Sequence, residues 1–480
     1  MDEPRESLMR IGQTSVVNFV SEVATSVFGF VVTIYLAREL GSAVLGEYYL
    51  VAAVVVWGKV LGGQGIQMAT RKRISEGADE AKFFGGGLSL QTFAFVVLAA
   101  AILVFRGPVN DYLRTDAALL LVVLLFTGLL VWQVRAALEG RHRVDLSSLL
   151  GPFDRLLRGL LQIGVVVVGL GTVKWLLTGF AAAEFVTGMV GIALLGLRPQ
   201  LPTRAQVASM LDYAKYSWFS GLESRTFASM DTLVLAVPVF AVSSSRIGIY
   251  EVAWNLASVL AVFGASVSTT LFPAISRLSS AENREAIRGL IDDSIAFSGL
   301  FVVPGLVGCL VVGDRVLAIY RPEFVQGYAV LVVLVVGRLL YVYESQLTNV
   351  LAAIDRPDAA FRVNVVFVAT NLVLNLALVY AFGWLGAAVA TATSAAVGLV
   401  LGYYFLRRLV AVPIPTRELA NQVAAAVAMG VVVLVARNFA PSGVPWTVGL
   451  VAVGGAVYFA GLVGLSNRFR ATVRRNLPVR

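Results

Sequence analysis

The sequence is a succession of apolar runs, each about as long as a bilayer's hydrocarbon core is thick, from residue 11 almost to the end. A helix needs roughly 20 such residues to cross. In lipid the backbone has no water to satisfy its N–H and C=O groups, so runs of this kind fold as helices. Fourteen spans are expected, at 11–36, 44–68, 83–105, 115–136, 147–170, 173–197, 213–237, 247–271, 289–313, 325–353, 361–382, 385–406, 417–438 and 446–466. Only Gly383 and Trp384 divide spans 11 and 12, so twelve is the alternative count. Composition agrees: hydrophobic residues fill 58% of the 480 positions and charged residues 14%, more apolar surface than a soluble fold of this length would use.

The net charge of +9 does not point to nucleic acid, because the basic residues punctuate the apolar runs instead of gathering on a polar domain. With the N-terminus inside, interior segments carry a threefold excess of Lys and Arg over exterior loops. That asymmetry sets topology. The expectation is a multi-pass protein of the cell membrane with both termini in the cytoplasm. The stretch from Ile11 to Ala37 is too long for a signal-peptide core and lacks a small-residue cleavage site, so it is expected to remain as span 1.

The spans also repeat. Leu45-Gly46-Glu47-Tyr48 opens span 2, and Ile247-Gly248-Ile249-Tyr250 opens span 8. A glutamate lies near the middle of the preceding span in each copy, Glu22 in span 1 and Glu223 in span 7. Duplicated membrane halves are a common transporter plan, with the substrate site near the bilayer midplane. The expected division is an N-lobe at 1–198 (spans 1–6), a polar cytoplasmic linker at 199–212, a C-lobe at 213–408 (spans 7–12), and spans 13 and 14 with a basic tail at 409–480. The fold class is thus an all-α polytopic membrane protein, two six-helix lobes related by a pseudo-two-fold axis plus an appended helix pair.

Ionisable groups inside spans are costly and therefore informative. The cations are Lys59, Arg155, Arg158, Arg225 and Arg338, with Lys215 near the cytoplasmic end of span 7. The anions are Glu22, Asp154, Glu184, Glu223, Asp231 and Glu344, with Glu251 near the outer interface. Two uses are open. Lys59, Arg225 and Arg338 can bind a polar anionic substrate in a wet lumen, since a guanidinium holds two phosphate oxygens at once. Alternatively the charges neutralise one another, as Asp154 and Arg158 can, four apart on one helix face. Glu22, Glu223 and Asp231 would set the field or bind a coupling cation.

No enzyme constellation is present. Cys309 is the only cysteine, His142 the only histidine, and no phosphate-binding loop or nucleophile elbow occurs. No catalytic residue, metal or cofactor is expected. Arg468, Arg470, Arg474 and Arg475 form a tail suited to anionic membrane lipids.

Asn371 and Asn375, the run Phe382-Gly383-Trp384-Leu385-Gly386-Ala387-Ala388-Val389-Ala390-Thr391, and Ser394 carry a family resemblance. So do Ala37-Arg38-Glu39-Leu40-Gly41 with Gly46 and Tyr48, Gly248-Ile249-Tyr250 with Ala253, and Phe272-Pro273 with Ser276-Arg277. Over the first twelve spans the chain resembles the oligosaccharide flippases of polysaccharide biosynthesis. These are Wzx-type members of the multidrug/oligosaccharidyl-lipid/polysaccharide exporter superfamily, which also holds the toxin extruders and the lipid II flippase. The resemblance implies a cavity lined by spans 1, 2, 7 and 8, and alternating access driven by an ion gradient (Na+ or H+) or by the substrate's own gradient. It implies a glycan on a polyprenyl phosphate or pyrophosphate carrier as substrate, with glycosyltransferases of the same pathway as partners. Span 1 has Glu22 and no arginine, unlike the lipid II flippase pattern, which favours a surface or glycoprotein glycan. A cation-coupled drug antiporter of the same fold is the alternative. A membrane glycan polymerase or ligase fits less well, because the longest exterior loops have only about ten residues.

Overall fold

The computed structural model describes residues 3–219, 222–280 and 283–476, without the side chains of 3–24, 26, 265, 269, 270, 280, 284, 473, 475 and 476. Its chain contacts separate two compact units. The first is Met1–Arg225 with Ala236–Gly248, and the second is Thr226–Leu235 with Ile249–Arg480.

The first unit begins with α1 (Glu3–Ser75), a helical run broken at Gly41, followed by α2 (Glu80–Val104), the short α3 (Arg106–Leu113), α4 (Ala118–Gly140), α5 (Val144–Val167) and α6 (Val173–Leu195). Gly41 has φ 81° and ψ 174°, a conformation open to glycine and little else, so one helical run becomes two crossings. Helix α7 (Arg204–Ser217) begins inside the stretch expected to be linker. The cause is local: Thr203 Oγ1 accepts from the Gln206 amide, and the Gln206 side chain accepts from the Thr203 amide, which completes a capping box. After it comes α8 (Leu222–Leu235), whose first turn belongs to this unit.

The second unit contains the rest of α8, most of α9 (Ser244–Ser280), then α10 (Arg284–Ser298), α11 (Val302–Ala318), α12 (Tyr328–Ala353), α13 (Pro357–Leu406), α14 (Thr416–Phe439), α15 (Val444–Leu465) and α16 (Asn467–Asn476). Gly383, at φ 60° and ψ −139°, divides α13 at the position the sequence reserves for the turn between spans 11 and 12.

Ten helical stretches among the described residues are long and apolar enough to cross a membrane, and those at Val27–Ser75 and Pro357–Leu406 run for 49 and 50 residues. Each of these two contains a glycine break and supplies two crossings. Helix α5 and the α7–α8 pair stand where spans 5 and 7 are expected; charge or interruption keeps them below a purely apolar criterion. The described residues thus accommodate fourteen crossings. Valines and leucines such as Val104, Val167 and Val373 are exposed, as suits a surface solvated by hydrocarbon. Inside, polar side chains tie helices together where lipid supplies no hydrophobic drive between them. Gln133 donates to Thr70 Oγ1 at 2.8 Å, and Gln91 to the Leu129 carbonyl at 2.8 Å.

The two glycines of the repeated motif meet. A Cβ built on Gly46 would fall 1.8 Å from the Ser244 carbonyl oxygen, and one on Gly248 would fall 2.0 Å from that of Ser42. The Ser42 and Ser245 hydroxyls share a hydrogen bond of 2.5 Å beside this crossing. All five residues belong to the first unit.

Candidate functional site

In the first unit, α1, α4, α5 and α6 enclose four charges. Lys59 Nζ lies 3.2 Å from Glu184 Oε1, with both side chains buried. The other Glu184 oxygen accepts from Thr127 Oγ1 at 3.0 Å. Gly128 makes room for the pair, because a Cβ there would fall 3.0 Å from both Lys59 Nζ and Glu184 Oε1. Asp154 and Arg158 pair along α5, and the Arg158 guanidinium covers the Phe180 ring at 3.6 Å. The four form a neutral cluster of two cations and two anions.

Next to it is a cavity of about 190 Å³ lined by Gln67, Met68, Arg71, Trp132, Arg135, Ala136, Glu139 and Arg225. Trp132 connects cavity and cluster: Lys59 Nζ stands 5.4 Å from its ring centroid, and the Arg225 guanidinium stands 5.4 Å from the same centroid. Glu139 bridges Arg71 at 3.2 Å and the Ser147 hydroxyl at 2.9 Å. Arg135 donates to Ser147 Oγ at 3.4 Å and has no ion pair among the described residues. Three guanidiniums thus border one cavity whose lining holds a single carboxylate. That surplus suits an anion with several oxygens, and the indole and the Gln67 amide add surface for a polar organic group.

The second unit concentrates its polarity on Asp231. Its carboxylate accepts from Asn375 Nδ2 at 2.9 Å, from Thr391 Oγ1 at 2.7 and 2.8 Å, and from the Tyr250 hydroxyl. Asn375 Nδ2 also donates to Asn371 Oδ1 at 3.2 Å, while Asn375 Oδ1 is buried without a hydrogen-bond partner. One buried carboxylate thus gathers an amide N–H and two hydroxyls, with the Asn371 amide oxygen one hydrogen bond further out, and the side-chain oxygens of this group are of the kind that a hard cation takes. Nearby in sequence, Thr232 donates to Glu251. Glu344 accepts from Thr348 Oγ1 at 2.8 Å.

Arg338 occupies an aromatic cage in this unit. Its guanidinium lies 4.2 Å from the Trp254 ring and 4.8 Å from the Phe227 ring, and it donates to Ser258 Oγ at 2.5 Å. Its Nε is buried with no hydrogen-bond partner.

The structure brings Lys59 and Arg225 to one indole, pairs Lys59 with Glu184, and places Arg338 and Asp231 in the second unit. Glu223 is half-buried in the first turn of α8, two residues before Arg225. The side chain of Glu22 lies outside the described residues. Arg155 sits on the exposed face of α5, and Lys215 pairs with Asp212 at 2.6 Å at an exposed position. Sequence reasoning missed Arg71, Arg135, Trp132 and Glu139. It also left Asn371, Asn375 and Thr391 as family motif residues without a partner.

The chain matches the sequence profile of the family described as "Polysaccharide biosynthesis protein" over residues 11–279, and that of "Lipid II flippase MurJ" over 226–454. It is 32% identical over 476 residues to the "Probable flippase AglR" of Haloferax volcanii, covering 98% of this chain and 99% of that protein. To the "Probable low-salt glycan biosynthesis flippase Agl15" of the same organism it is 28% identical over 409 residues, 84% and 85% of the two chains. Among solved structures it resembles the lipid II flippase MurJ in an inward closed conformation, with TM-score 0.81, 15% identity, and coverage of 96% of this chain and 100% of that one. An inward-facing multidrug MATE transporter matches with TM-score 0.63 and 15% identity over 80% of this chain and 95% of that one. At these identities the structural likenesses are of fold.

Proposed function

The chain belongs to the polysaccharide biosynthesis family of oligosaccharide flippases, and on that premise we propose that it carries a lipid-linked oligosaccharide across the membrane by alternating access. A head group of several sugars plus phosphate cannot cross hydrocarbon unaided, because each buried polar group without a partner costs roughly 2–7 kcal/mol. The protein lowers that barrier by substituting its own polar groups for water while the polyprenyl tail stays in lipid.

The observation that carries this reading is the cavity with three arginines and an indole in the first unit. Arg225, Arg71 and Arg135 hold the phosphate of the carrier, with Glu139 fixing Arg71 and Glu223 shaping the field beside Arg225. Arg338, in its cage, is a further anion contact in the second unit. The distribution of Lys and Arg supports both termini in the cytoplasm, and on that reading the cavity, at the ends of α1 and α4 and the start of α8, opens from the loading side. A coupling cation, Na+ or H+, binds at Asp231 with Asn371, Asn375 and Thr391. The glycan belongs to a surface polysaccharide or glycoprotein, and cytoplasmic glycosyltransferases supply it. The resemblance to drug transporters is one of fold, and the cationic cavity disfavours the lipophilic cations such transporters would take.

The test is reconstitution. Proteoliposomes carrying a fluorescent sugar on a polyprenyl phosphate should show protein-dependent movement between leaflets, and Arg225→Ala should slow it at least tenfold at normal protein level. Equal rates with and without protein would refute the function; an unimpaired Arg225→Ala would refute the site.

A further inference from the structure

The pair Lys59–Glu184 has a form that a purely structural ion pair does not need. Both partners are buried inside the membrane region, where withdrawing charges from water offsets most of their mutual attraction, so the intact pair adds little net stability while either charge left alone is costly and must find another partner. Lys59 already faces the substrate side. Its ammonium lies on the indole of Trp132, and that indole lines the cavity and carries Arg225. A lysine ammonium on a flexible four-carbon stem can change partners by rotamer steps, which a fork-bound arginine does less readily. Gly128 gives the Lys59 stem the room it occupies beside Glu184, because a Cβ there would fall 2.6 Å from Lys59 Cδ. Glu184 would not be stranded by its departure. Thr127 still donates to it at 3.0 Å, and the Arg158 charge acts on it from α5.

We infer that Lys59 is a switch cation, held by Glu184 until the substrate's phosphate enters the cavity and then passed to that phosphate, with Glu184 as the positioning residue. This rests on the flippase reading above and adds to it a competition inside the first unit. Substrate anion and Glu184 contend for one ammonium, so attraction for the phosphate is released as soon as Lys59 returns. The other groups facing Glu184 are Thr127 on α4, Asp154 and Arg158 on α5, and Lys59 on α1.

The experiment measures binding of a long-chain polyprenyl phosphate to the full-length protein in phosphatidylcholine nanodiscs, with thermal unfolding of each variant alongside. Glu184→Gln should bind the probe about tenfold tighter than wild type, because Lys59 no longer has a competing carboxylate. The double variant Lys59→Met with Glu184→Gln removes the pair without leaving a lone buried charge. It should unfold at the wild-type temperature and bind about tenfold more weakly than wild type. Wild-type affinity in the double variant would overturn the inference, since the pair would then be structural only. Unchanged affinity in Glu184→Gln would overturn it as well, and this arm stands even if the double variant folds poorly. Arg225→Ala separates the two levels of the argument. If it loses the probe while the double variant keeps it, the switch alone fails; if it also binds normally, the phosphate assignment of the cavity fails.

Discussion

Replacing Gly46 by alanine tests the crossing of the two motif copies. The added Cβ would sit 1.8 Å from the Ser244 carbonyl oxygen, whereas ordinary contact begins near 3.4 Å, a shortfall of about 1.6 Å. The atom in the way is backbone, so no side chain can rotate aside and the helices themselves must separate. A shift of that size would stretch the Ser42–Ser245 contact from 2.5 Å to about 4 Å, beyond hydrogen-bonding range. Overpacking costs typically 1–3 kcal/mol and the lost hydrogen bond about 1 kcal/mol, so Gly46→Ala should destabilise by about 2–4 kcal/mol. Gly58→Ala is the internal control. Its Cβ would meet Leu125 Cδ2 at 2.4 Å, nearer than any ordinary contact but at the free end of a side chain, and it should cost under about 1.5 kcal/mol. Equilibrium unfolding of both variants in bicelles measures the difference. If Gly46→Ala is no less stable than Gly58→Ala, the close backbone approach is not a feature of the folded protein.

Two further outcomes follow from the buried groups. Wild-type protein should gain thermal stability when potassium is exchanged for sodium at constant ionic strength, and Asp231→Asn should respond equally to both; a sodium response retained in Asp231→Asn would remove the cation from this site. Arg158→Gln should destabilise by about 3–5 kcal/mol, because it strands Asp154, whose Oδ1 already lacks a hydrogen-bond partner; adding Asp154→Asn should recover most of that, and failure to recover would show that Arg158 acts mainly through its packing on Phe180.

The fold was legible because hydrocarbon imposes one length and one polarity on every crossing. Even the narrowest division, at Gly383, was visible as a glycine between two apolar runs, and the structure turns there. The Lys59–Glu184 pair was not legible, since its partners are 125 positions apart and no sequence period connects them. Arg71 and Arg135 were hidden for a different reason. Both lie at the ends of spans, and an arginine that orients a helix is indistinguishable in sequence from one that also borders a cavity. The Asp231 site left a usable trace: Asn371 and Asn375 are four residues apart, hence on one helix face, and polar pairs at that spacing in an apolar span mark a buried partner. The helical start at Arg204 was equally available from Thr203 and Gln206, three apart before the run.

The repeated motif and the charges around it behave differently, and the difference has a physical logic. Gly46 and Gly248 must both stay glycine because each occupies the other's contact surface, so the repeat is preserved where backbone meets backbone. The charges face no such constraint and differ between the two copies. In the first unit, every acid of the buried cluster has a cation within reach, and Arg135 and Arg225 lie at the cavity wall. In the second unit, the side chains bonded to Asp231 are all neutral: Tyr250, Asn375 and Thr391. A buried carboxylate surrounded only by neutral donors either keeps a proton or holds a cation, because its bare charge is too costly in that medium. Under the proposed function the arginine-lined cavity belongs to the first unit, while the Asp231 cation site and the Arg338 anion contact both belong to the second.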